Sequence, residues 1–184
     1  MTTVQLFYGL LALVAWAIIG GLLAVRLGAV GSASMRERWD ALASTLAPNA
    51  LGLAWFVALL ATAGSLYFSE VAGYEPCRLC WYQRIAMYPI LVILAVGAAR
   101  RERAGAVYAS ALALVGAVIA GYHVALEWVP ALDTGACSAS MPCTLVWFRV
   151  FGFISLPTLS LTAFVLILTL LFIHIRTPAD RSEP

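Results

Sequence analysis

Four cysteines hold the thiol chemistry of this chain, and they form two pairs of different spacing. The first is Cys77-Arg78-Leu79-Cys80. Two thiols at this spacing close a small ring that reopens readily, which suits a cycling disulfide better than a structural staple. Pro76 precedes Cys77, and proline favours a helix start because its missing N–H would have no partner there. Cys80 then falls in the first helical turn, where the helix dipole favours the thiolate that acts as nucleophile in exchange. Arg84 follows on the same helical face, about one turn or ~6 Å deeper. An arginine at that depth either snorkels to the interface or stabilises the Cys80 thiolate or an oxygen of a bound electron acceptor.

The second pair, Cys137 and Cys143, brackets Pro142 in a short polar stretch from Asp133 to Thr144. Four cysteines also admit a zinc set or two inert bridges. A ring as small as Cys77–Cys80 constrains too little chain to be useful as a staple, and an exocytoplasmic setting favours disulfides over zinc. No metal is expected. His123 lies at the depth of the first pair, where it is either a satisfied interfacial residue or a group beside the chemistry. Glu127 stands one turn beyond it. Tyr74, Trp81, Tyr82, Tyr122, Trp128 and Trp147 gather near the same boundary, which an aromatic belt explains without a ligand.

The elements that must position these groups follow from composition. Of 184 residues, 63% are hydrophobic and 11% charged, more apolar surface than a soluble domain of this size could hide. An all-α membrane protein with five spans is expected: 4–25, 49–71, 77–99, 105–128 and 145–175. Residues 26–48 are mixed and polar and read as a loop. No basic residue precedes the first run, which therefore reads as a retained helix and not a cleaved leader. Arginines cluster after spans one, three and five (Arg26, Arg36, Arg38; Arg100, Arg101, Arg103; Arg176, Arg181), which the positive-inside rule makes cytoplasmic. The N-terminus and both cysteine pairs then lie outside and the C-terminus inside. With a net charge of +2 and no basic patch carrying interleaved aromatics, nucleic acid is not an expected partner.

The run from Pro76 to Arg84 resembles the PCxLCxxxR signature of the DsbB family of membrane disulfide oxidoreductases, particularly its BdbC-like branch. The resemblance continues through Tyr122-His123, the Cys137–Cys143 loop, and the segment from Phe151 to Pro157 that opens the last span. It implies a four-helix bundle over residues 49–176 in a bacterial or archaeal cytoplasmic membrane. The departures are an extra N-terminal span with its cytoplasmic loop, residues 1–48, and a cytoplasmic tail, residues 177–184. It implies a quinone acceptor, menaquinone or ubiquinone, and a DsbA-like thioredoxin-fold partner whose thiols are reoxidised outside the membrane. Carried over by position, Cys80 faces the quinone, Arg84 sits by a quinone oxygen, and Cys77 exchanges with the loop pair. Cys137 would form the mixed disulfide with the partner, Cys143 would complete that pair, and His123 would lie near the quinone. A relay running in the reductive direction and a metal-binding or scaffold membrane protein are the alternatives.

Overall fold

A backbone in lipid must satisfy its own N–H and C=O groups, so long apolar runs become helices. The computed structural model, which describes residues 2–100, 102–133, 135–137 and 141–177, has five of them. They are α1 (Thr3–Gly31), α2 (Ala33–Leu66), α3 (Arg78–Arg100), α4 (Arg103–Trp128) and α5 (Leu156–Arg176), and each is long and apolar enough to cross a membrane. The tail beyond Thr177, with Arg181, and Arg101 of the arginine pattern lie outside the described residues.

Helices α2 to α5 close into a bundle in which α2 packs on α3 and α5, and α4 packs on α3 and α5. Its centre is built from small residues of α2 and α4 (Ala54, Ala58, Ala106, Ala109, Ala113) against Ile90, Leu94, Phe164, Ile167 and Leu171. Lipid offers no hydrophobic drive for helices to associate, so close van der Waals approach between small residues must supply it. At Gly116, an added Cβ would lie 2.3 Å from the Phe164 ring, so that crossing tolerates only glycine. Leu10, Leu23, Val92, Val118 and similar side chains are exposed around the periphery, as a lipid-facing surface requires.

Helix α1 packs against α2 and α5. It starts with a reciprocal cap, in which the Gln5 N–H donates to Thr2 Oγ1 (3.2 Å) and the Thr2 N–H donates to Gln5 Oε1 (2.7 Å). Its buried face is Gln5, Gly9, Ala12 and Ala15, a narrow stripe of mostly small side chains.

Two expectations about the elements are corrected. Residues 26–48 are not a loop: α1 runs on to Gly31, only Ser32 breaks the helix, and α2 begins at Ala33 and passes through Pro48. Alanine, leucine, methionine, arginine and glutamate dominate this stretch, and their helix propensity outweighs their polarity. The last helix begins at Leu156 and not near Leu145. Val150 and Ile154 instead pair across a tight turn in which Phe151 (φ 54°) and Gly152 (φ 82°) are left-handed, and Pro157 opens the helix that follows. After Leu66, α2 ends in a π-helical turn over Tyr67–Val71, and positive φ at Gly73 (72°) lets the chain leave towards Pro76.

Candidate active site

Cys77 sits just ahead of α3 and caps it: its carbonyl accepts the Trp81 N–H at 3.1 Å, and its sulfur accepts the Cys80 N–H at 3.3 Å. The helix N-terminus therefore acts on Cys77 directly, whereas the spacing alone placed its influence on Cys80. The two sulfurs are 2.8 Å apart as free thiols. The Cys80 thiol aimed at it, helped by the His123 imidazole, holds the Cys77 thiol well below its ordinary value, against the opposing effect of burial.

His123, on α4, joins the two pairs. Its Nε2 lies 3.7 Å from Cys77 Sγ and 3.0 Å from the carbonyl oxygen of Cys143. Its Nδ1 lies 3.0 Å from Gln83 Nε2, an amide donor on α3. A carbonyl can only accept and the amide nitrogen can only donate, so this network puts the imidazole proton on Nε2. Cys137 and Cys143 form a disulfide with Cα atoms 5.7 Å apart, and Cys143 is buried whereas Cys137 is half-buried. All four cysteines belong to one cluster with Leu79, Leu126, Tyr122 and Met141. That bridge rules out the four-cysteine zinc set in this form of the chain. Cys77, Cys80 and His123 do present ligand atoms within 4.8 Å of one another. A thiophilic cation held there would occupy both sulfurs and stop exchange.

Arg84 turns towards α2 rather than into solvent. Its Nε donates to Ser65 Oγ and its guanidinium to the Ser65 carbonyl, both at 3.0 Å, and it lies 5.2 Å from the centre of the Trp81 ring. It lines a cavity of about 330 Å³ that also takes in Cys80, Gln83, Ser65, Tyr74 and Trp147. That volume falls within the ~300–1,000 Å³ usual for small-molecule sites. Cys77 and His123 line a second, much smaller pocket with Glu127, Met141 and Pro142. Cys80 is the cysteine that borders both spaces.

Several residues here were not singled out by sequence. Gln83 and Ser65 orient His123 and Arg84. Glu127, which the sequence did place one turn beyond His123, is buried and accepts from the Ser155 hydroxyl, and its carbonyl accepts from Arg149 (3.2 Å), whose guanidinium lies over Trp128 at 4.4 Å. Gln83 stood three positions after Cys80, a helical spacing that could have marked it. Nothing in spacing marked Ser65. Of the boundary aromatics, Trp81, Tyr82, Trp128 and Trp147 are exposed, and Trp147 stacks on the half-buried Tyr74 at 4.8 Å in the cavity wall.

Comparison with known proteins accounts for this arrangement. Residues 47–174 match the family model described as disulfide bond formation protein DsbB. The chain belongs to the DsbB family. A probable disulfide formation protein of Oceanobacillus iheyensis is 41% identical over 132 residues, 71% of this chain and 91% of that protein. A probable disulfide formation protein C of Halalkalibacterium halodurans is 45% identical over 114 residues, 61% of this chain and 83% of its own. Disulfide bond formation protein C of Bacillus subtilis is 42% identical over 115 residues, 62% and 83% respectively. No solved structure is matched. This DsbB-family member is thus a multi-pass membrane disulfide oxidoreductase, and the match covers α3, α4, most of α5 and the greater part of α2 but not α1.

Proposed function

We propose that this protein reoxidises a DsbA-like thioredoxin-fold partner on the extracytoplasmic side of a bacterial or archaeal cytoplasmic membrane and passes the electrons to a membrane quinone. The observation that carries the reading is the position of Cys80, which borders the larger cavity on one side and the Cys77–His123 pocket on the other. Electrons arriving through the loop pair therefore have one sulfur through which to leave.

The relay is a succession of exchanges. A partner thiolate attacks the half-buried Cys137, breaking the Cys137–Cys143 bond and releasing Cys143 as the leaving thiolate. The partner's second thiol then resolves the mixed disulfide and leaves oxidised, and the loop pair is left as a dithiol. Cys143 next attacks Cys77 of an oxidised Cys77–Cys80 bond, with Cys80 as leaving group. Cys137 resolves the Cys143–Cys77 bond, restoring the loop disulfide and leaving Cys77 and Cys80 reduced. His123 donates towards both the Cys77 sulfur and the Cys143 backbone, which suits holding these two residues together during that transfer. Two electrons and two protons then reside on the dithiol.

The larger cavity fits a quinone in its donor set. Arg84 and Gln83 can donate to ring oxygens, Tyr74 and Trp147 offer flat faces, and most of the remaining lining is apolar. When bound, a quinone would supply the two-electron, two-proton sink for the dithiol. Menaquinone and ubiquinone fit this chemistry equally. In this reading residues 49–176 are the catalytic core, 1–48 an accessory segment and 177–184 a tail, with the arginine-rich ends cytoplasmic. The test is quinone reduction by the purified protein with a reduced thioredoxin-fold partner. Cys80→Ser should insert normally and reduce no quinone; quinone reduction at the wild-type rate by that variant would overturn the assignment. Starting instead from oxidised partner and quinol, accumulation of reduced partner would support the reductive relay.

A further inference from the structure

We propose that α1 is the acceptor-selecting wall of the larger cavity, an inference that rests on the quinone reading above. The cavity is bounded by α2, α3 and α5 on the core side and by α1 on the other, through Tyr8, Leu11, Ala12, Val14, Ala15 and Ile18. From Tyr8 to Ile18 the helix runs about 15 Å along the space. Polar groups gather at the cysteine end, where Ser65, Ser69, Tyr74, Glu75, Gln83 and Arg84 line it, and Ser160 and Thr162 add hydroxyls from α5. Towards the other end the lining becomes Ile18, Phe56, Val57 and Leu166. A slot that is polar at one end and mainly apolar along its length suits a flat polar ring carrying an apolar chain.

Helix α1 is fixed to the core at both ends of this stretch. Gln5 Nε2 donates to the Tyr74 hydroxyl at 2.8 Å, and the Tyr8 hydroxyl donates to the Leu60 carbonyl at 3.1 Å. Further along, Trp16 Nε1 donates to Thr162 Oγ1 at 2.7 Å. Tyr8 also fills the notch at Gly64, where an added Cβ would lie 2.6 Å from its ring. A helix with a narrow buried stripe in lipid gains from such interhelical bonds, which are worth about 0.6–2 kcal/mol each. They hold a wall in place without filling the slot behind it, because Ala12 and Ala15 present only methyl groups to the space.

The family match begins at residue 47, so this wall is an addition to the shared core. Without α1, the groove between α2 and α5 would face lipid over the whole of this stretch. With it, an acceptor's chain must pass along Leu11, Ala15 and Ile18. The added helix therefore sets which chain lengths and shapes reach Cys80 and Arg84.

The test uses the purified full chain and two quinones with the same ring, one tailless and one with a long isoprenoid tail. Equilibrium binding of each is measured beside quinone reduction. Ala15→Leu should weaken binding of the tailed quinone about tenfold, the scale of an overpacked site, while leaving the tailless one within about threefold. Leu11→Ala with Ile18→Ala enlarges the slot and should reduce discrimination between the two, without the risk of displacing α1. An azido-quinone photolabel should mark peptides from α1 as well as α3. Labelling confined to α2, α3 and α5, with both variants keeping the wild-type binding ratio, would overturn this inference while leaving quinone reduction intact. A wild-type protein that neither binds nor reduces quinone would overturn the functional reading and this one together.

Discussion

Replacing Gln83 by leucine tests whether the orientation of His123 sets the rate of transfer between the two cysteine pairs. Leucine keeps the bulk of the glutamine but removes the amide that donates to Nδ1 at 3.0 Å in a buried site. The ring then has two options. It keeps its proton on Nε2 and leaves Nδ1 unsatisfied, or it moves the proton to Nδ1 and turns an Nε2 lone pair towards the Cys143 carbonyl. An unsatisfied buried polar group costs about 1–3 kcal/mol, and the middle of that range, ~2 kcal/mol, corresponds to ~30-fold. Transfer from the loop pair to Cys77–Cys80 should slow by about that factor. The assay is a single turnover without quinone: oxidised protein receives one equivalent of reduced partner, and acid-quenched, alkylated peptides report which cysteines carry the thiols. A Gln83→Leu protein with wild-type transfer and an unchanged pH profile of Cys77 alkylation would refute the reasoning. Gln83→Asn, with the amide retained on a shorter arm, should fall between the two.

Other outcomes follow from the same geometry. Because Cys80 and His123 lower the Cys77 thiol, its folded value lies below its unfolded one. The resulting stabilisation of the reduced form is complete above the ordinary thiol pKa and is lost as pH falls through the lowered value. Cys77 alkylation should therefore change little between pH 9 and 6.5, where an ordinary thiol of pKa ~8.5 slows by about a hundredfold. Arg84→Leu removes charge-assisted bonds to Ser65 and should raise the quinone KM by about 10–100-fold while sparing transfer between the pairs. A reduced partner whose resolving cysteine is replaced by alanine should break the Cys137–Cys143 bond and stay on Cys137, visible as a reducible covalent complex on gels that Cys137→Ala does not form. Gly116→Ala should lower stability by about 1–3 kcal/mol in a detergent melt, because its Cβ meets Phe164, whereas Gly121→Ala, which meets nothing within 4 Å, should not.

The membrane class, the five spans and the family were all legible in residue order. Apolar runs of sufficient length have one stable form in lipid, and the run from Pro76 to Arg84 is a local signature that needs no partner to be recognised. The pairing of Cys137 with Cys143 was likewise readable from their neighbourhood in the chain. What local reading misjudged were boundaries. Polarity between residues 26 and 48 looked like a loop although its residues are good helix formers, and the hydrophobicity of residues 145–155 hid a turn that depends on left-handed backbone at Phe151 and Gly152.

Only tertiary structure decided which groups meet. Gln83 reaches His123 across 40 residues, Arg84 reaches Ser65 across 19, and Trp16 reaches Thr162 across 146, contacts set by how helices rotate against one another. Spacing along one helix places side chains on a common face but is silent about what that face meets. For that reason the cysteine pairs and their chemistry could be read from the sequence. The cavity bordered by Cys80, and the placing of the added helix along it, exist only once five helices are packed together.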